Sequence, residues 1–131
     1  MQADIQQENG LRLSILRCPS GREGCIVARL TGTNLNAEIT TEKYPADSRQ
    51  EALCEFFTLV AELTEGNTRD WLAECQDLAI NASADALFPG QILLRLYLGS
   101  TSDDDCDWQI NSSLLATPEQ VRRFAQKLAH L

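Results

Sequence analysis

Residues 47–66 read DSRQEALCEFFTLVAELTEG, and this stretch decides the fold because it carries the clearest helical period in the chain. Ser48 stands as an N-cap with Glu51 three residues on, the capping-box spacing. Gly66 stands where a left-handed residue closes a helix. Between them Leu53, Phe56, Phe57, Val60 and Leu63 recur at helical spacing and gather on one side. Glu51, Glu55, Glu62 and Glu65 gather on the other. The spacing predicts a helix over 47–66 with an apolar face on a core. Its acidic back is either a solvated surface or a surface offered to a basic partner.

Outward from this helix the period changes from 3.6 to 2. Upstream, residues 11–18, 25–30 and 35–41 alternate apolar and polar, as strands with one buried face do. The turns Pro19-Ser20-Gly21 and Thr31-Gly32-Thr33-Asn34 link them into an antiparallel meander, which Tyr44-Pro45 ends. Residues 1–10 are polar and read as a flexible lead-in. Downstream, residues 67–74 (NTRDWLAE) are ambiguous, with a short helical turn that carries Trp71 and Leu72 onto the core as one reading and Trp71 on a binding surface as the other. Residues 77–82, 91–98 and 107–115 read as strands, with 91–98 central and Trp108 in phase with Ile110 as a core residue. A second helix opens at Thr117, where Pro118 takes the first helical position and Gln120 completes a capping box. Its buried face is Val121, Phe124, Ala125 and Leu128.

The order is three strands and a helix, twice. It predicts one α+β domain over residues 1–131, in two layers. A twisted antiparallel sheet of about six strands carries both helices on one face.

The 131 residues carry a net charge of −8, and residues 42–85 hold −7 of it. Phosphate backbones need clustered Lys and Arg, so nucleic acid is excluded as a partner class, and an anionic membrane with it. A basic protein is the partner that the charge permits. No window approaches a membrane span and the first residues are polar, so the expected location is cytoplasmic. The five cysteines (Cys18, Cys25, Cys54, Cys75, Cys106) form no C-x-x-C pair, and an odd number without a leader argues against a disulfide framework. Cys25 and Cys54 read as small buried hydrophobes. Cys18 and Cys25 flank a turn, where a reducing cytosol argues against a bridge.

Catalytic chemistry finds little to build on. The one histidine, His130, is the penultimate residue, so a Ser-His-Asp or Cys-His constellation has no base. No phosphate-cradling glycine loop is present. The run Asp103-Asp104-Asp105-Cys106-Asp107 offers carboxylates to a hard cation but lacks the mid-loop glycine and closing Glu of a calcium loop. It reads as a solvated loop, and no metal or cofactor is expected.

From Trp71 onward the chain resembles a bacterial family of small domains of unknown function. The shared pattern is Trp71, Asp77-Leu78, Gly90, Asp107-Trp108 and the capped helix from Thr117. The pattern has glycine before its Asp-Leu, where this chain has Gln76. The resemblance implies an α+β fold and carries over no catalytic residue. In size, acidity and element types the chain also has a weaker likeness to acidic dimeric type III secretion chaperones.

Three functional readings follow. The first is a non-enzymatic, acidic protein-binding domain, of immunity-protein or chaperone kind. It binds through Glu51, Glu55, Glu62 and Glu65, with Trp71 as a binding aromatic. The second is a small-molecule-binding domain or small enzyme with a pocket between sheet and helices. The third is a homodimer paired through a sheet edge or an open sheet face, in which Arg95 and Tyr97 would lie.

Overall fold

The computed structural model describes residues 2–7, 10–21, 24–42, 52–74, 76–100 and 108–131. Within them the chain forms β1 (Gln2–Gln6), β2 (Arg12–Arg17), β3 (Cys25–Gly32), β4 (Leu35–Glu42), α1 (Leu53–Val60), β5 (Thr68–Leu72), β6 (Leu78–Ser83), β7 (Ile92–Ser100), β8 (Trp108–Ala116) and α2 (Pro118–Leu128). The fold is α+β, but the sheet is divided. Two separate four-stranded antiparallel sheets run in the orders β1-β2-β3-β4 and β5-β6-β7-β8.

Each half is thus four strands and a helix, not three. The extra strand in each half is an edge strand that local reading misses. In β1, the lead-in of the sequence reading, only Ala3 and Ile5 are apolar, yet both are buried. Two buried positions in five residues carry too little periodicity to stand out against Gln2, Asp4 and Gln6. In β5, read as a helical turn, Trp71 alone is buried, and the strand exists because it pairs with β6 from Thr68↔Ser83 to Leu72↔Ala79. Cross-strand pairing overrides local propensity there.

The expected helix over 47–66 shortens to Leu53–Val60, and its N-cap is Ala52 without a side-chain cap bond. Ser48 and Glu51 lie outside the described residues. Leu53, Phe56, Phe57 and Val60 are buried in the expected i, i+3, i+4, i+7 pattern. The helix ends at Val60, although Leu63 still packs against the core from beyond it. Glu62 N and Leu63 N turn to Leu59 O and Val60 O in tighter bonds of 3.1 Å each. Gly66 has φ +88°, but it serves the next turn, where its N–H donates to Ala84 O at 2.7 Å. The second helix follows its reading closely. Thr117 caps Gln120 N at 3.1 Å and Gln120 Oε1 accepts from Thr117 N at 2.8 Å.

Both sheets and both helices bury their apolar faces in one hydrophobic cluster. The helices meet through Phe57 and Phe124, edge to face with centroids 4.8 Å apart, a geometry that adds to the apolar burial. α2 also packs beside β1, and α1 beside β5. The sheets adjoin where β4 lies by β7 and β1 by β8. There Thr41 Oγ1 donates to Asp77 Oδ1, and Leu115 N donates to Gln7 Oε1 at 2.7 Å. No helix among the described residues is long and apolar enough to cross a membrane.

Candidate binding face on the second sheet

The antiparallel register aligns side chains into rows across each sheet, and alternate rows face away from the core. On the first sheet, one such row runs Asp4↔Ser14↔Arg29↔Glu38. On the second, the row at the corresponding place runs Asp70↔Asn81↔Arg95↔Ser113. Asp4 and Asp70 are each the third residue of their half's first strand.

The two rows begin alike. Ser14 Oγ donates to Asp4 Oδ1 at 2.5 Å, and Asn81 Nδ2 donates to Asp70 Oδ1 at 2.5 Å. They end differently. Arg29 meets Glu38 through Nε at 2.9 Å and Nη2 at 2.7 Å, a two-pronged ion pair. Arg95 meets Ser113. Among the described residues the Arg95 side chain makes no ion pair and no hydrogen bond, and it is exposed. Within the same row Asn81 Oδ1 is buried and accepts no hydrogen bond. Asp70 fixes its orientation, since the reverse rotamer would oppose two oxygens. Arg95 is thus in register with Asn81, whose side-chain oxygen accepts no hydrogen bond among the described residues.

The neighbouring row on this face is Leu72↔Ala79↔Tyr97↔Asn111, with its first three members half-buried. Tyr97 lies along the sheet over Gly99, where an added Cβ would collide with the phenol oxygen. Gly99 thus makes room for the ring. Together the two rows bound a concavity of about 440 Å³, lined by Asp70, Asn81, Arg95, Tyr97, Asn111 and Ser113 among others.

A second cavity, of about 480 Å³, lies between the end of the β2–β3 hairpin and the two helices. Its lining includes Arg17, Cys25, Ile26, Leu53, Cys54 and Leu128. No cluster of three or more His, Cys, Asp or Glu among the described residues is placed to hold a metal ion. The run 103–107 lies outside them.

Of the binding residues read from the sequence, Glu51 is outside the described residues. Glu55 is exposed on α1, while Glu62 and Glu65 are exposed beyond its end, so the acidic stripe is not one helical face. Trp71 is 1% exposed, inside the core beside Ile80 and Leu96 in register. It is a core residue and not a surface aromatic. Trp108 reverses the other way: it is 38% exposed because β8 begins beyond the edge of the core, opposite Ser100 at the end of β7. Arg95 and Tyr97 share the outer face, as their alternation with Leu94, Leu96 and Leu98 requires. Asp70, Asn81, Asn111 and Ser113 were not legible as partners, because only the register brings them together.

A model of the family of unknown function DUF6228 matches residues 2–131. No curated protein and no solved structure matches the chain.

Proposed function

The chain belongs to this family of unknown function, and from its own geometry we propose that it is a non-enzymatic binding domain whose recognition surface is the outer face of the second sheet. The observation that carries the reading is Arg95, a cation exposed on the outer sheet face without a counter-ion among the described residues, in an acidic chain. Arg and Tyr are the side chains on which recognition surfaces most often depend. The single histidine is His130, so a Ser-His-Asp or Cys-His constellation has no base to build on. Affinity capture on the full chain tests it. Material retained by the wild type and by Arg29→Glu, but lost from Arg95→Glu, supports the face. Equal retention by all three removes it. Light scattering separates self-association, since a dimer dissolved by Arg95→Glu would give the face to a second copy.

A second reading is supported by Glu55, Glu62 and Glu65, which are exposed and make no ion pair among the described residues. They would meet a basic protein, with binding that weakens as salt rises. Capture of such a partner that is indifferent to reversing Glu55 and Glu62 to Lys would exclude this surface.

A further inference from the structure

We infer that the outer face of the second sheet binds a small monocarboxylate with an apolar body, its carboxylate taking the place over Ser113 that Glu38 takes over the first sheet. The inference rests on the proposed recognition face and names its ligand. The first sheet is the template. There the sequence Asp, hydroxyl donor, Arg, carboxylate runs unbroken across four strands. In the second sheet the same order stops at Arg95, because Ser113 is too short and uncharged to answer it. A guanidinium presents five N–H donors in a planar fork that matches a carboxylate with two parallel bonds. One prong pair suffices for the ligand, and Asn81, whose Oδ1 has no partner among the described residues, is in register with Arg95 on the same row. Ser113 and Asn111, both exposed, add neutral donors at the same spot.

Charge and shape restrict the class. Asp70 stands two strands from Arg95, about 10 Å away at ordinary strand spacing, and the chain carries −8 overall. A dianion such as a phosphate monoester or dicarboxylate is therefore disfavoured against a single carboxylate. Beside the charged row lie Leu72, Ala79 and the ring of Tyr97, half-buried and largely apolar. They offer a floor to a short acyl chain or an aromatic ring. The concavity of about 440 Å³ falls in the size range of small-ligand sites.

The test is calorimetric titration of the full chain with benzoate, phenylacetate and hexanoate, and with the three corresponding amides. At least one acid is expected to bind, and its amide to bind at least about tenfold more weakly, as loss of a charge-assisted pair requires. Arg95→Gln is expected to weaken binding by at least about tenfold, with Arg29→Gln unchanged. Ser113→Glu supplies a carboxylate from within and is expected to abolish binding while the chain stays folded by circular dichroism. Absence of binding by all three acids overturns the inference, as does binding that survives Arg95→Gln or does not distinguish acid from amide. The capture experiment stands apart: a macromolecular partner lost from Arg95→Glu, with no acid bound, would retain the face and reject this ligand.

Discussion

The first sheet completes its outward polar row and the second leaves it open. Both rows place an aspartate on the edge strand, a neutral donor beside it and an arginine on the third strand. The second strand carries Ser14 against Asn81, and the charge differs only at the fourth, Glu38 against Ser113. The same backbone arrangement thus serves as a closed surface in one half and as a surface with unused hydrogen-bonding capacity in the other. Because an exposed ion pair contributes only about 0.2–1 kcal/mol, the lack of a cross-strand carboxylate for Arg95 costs the fold little. What it leaves is a cation that an outside group can answer.

The largest test of this comparison lies under the rows, at the fourth residue of each first strand. Trp71 fills that place in the second half and Ile5 in the first, both buried. Trp71→Ala is expected to cost ~3–5 kcal/mol and Ile5→Val ~0.5–1.5 kcal/mol in chemical denaturation. A small loss at Trp71 would mean that the second half is not anchored by its edge strand. Exchanging the fourth residues comes next. Glu38→Ser is expected to cost up to ~1 kcal/mol, and Ser113→Glu to return a similar amount, both measured by thermal unfolding at low salt and both shrinking as salt rises. No change from Ser113→Glu would show that Arg95 cannot reach across to β8.

A smaller effect is expected at Gln76, where φ is +60° in the β5–β6 turn. This is the place at which the resembled pattern has glycine, and a side chain is strained in that conformation. Gln76→Gly should stabilise by ~0.5 kcal/mol, the strain relieved less the entropy glycine loses on folding. The smallest concerns Asp4. Burial raises its pKa, but the hydrogen bonds from Ser14 and Gln2 and the charges of Arg12 and Lys127 prevail, leaving it below the ordinary 3.8. The unfolded chain therefore takes up the proton first as pH falls. The stability Asp4 lends is complete above 3.8 and is lost as pH drops through its folded value. Asp4→Asn should accordingly unfold with a shallower acid limb, and the gap to wild type should narrow in that window.

Much of this architecture was legible residue by residue. The capping box at Thr117 and the apolar alternation of β7 placed their elements within a residue or two, since both are local signals. The first strand of each half was not legible, because Ala3 with Ile5 and the lone Trp71 bury too few positions to reveal a period, whereas the other two edge strands, β4 and β8, were read from their alternation. Division into two sheets was hidden for a related reason: nothing local distinguishes a strand that joins the first meander from one that begins another. The open face was half visible. Arg95 and Tyr97 announce an outward face by alternation, but Asp70, Asn81 and Ser113 join them only through registers spanning four strands. The acidic residues do not form one helical face, because the helix ends at Val60 and leaves Glu62 and Glu65 beyond it.

The meeting of β1 with the last elements bears on how the chain is made. Gln7 accepts from Leu115, and Gln120 Nε2 reaches Gln6 O at 3.5 Å, contacts that span most of the sequence. While the ribosome is still extending the chain, the first meander has neither β8 nor α2 to rest on. Its apolar face stays partly uncovered until residues 108–128 have emerged. Folding of this kind is slow for its size and exposes the nascent segment to chaperones in the interval.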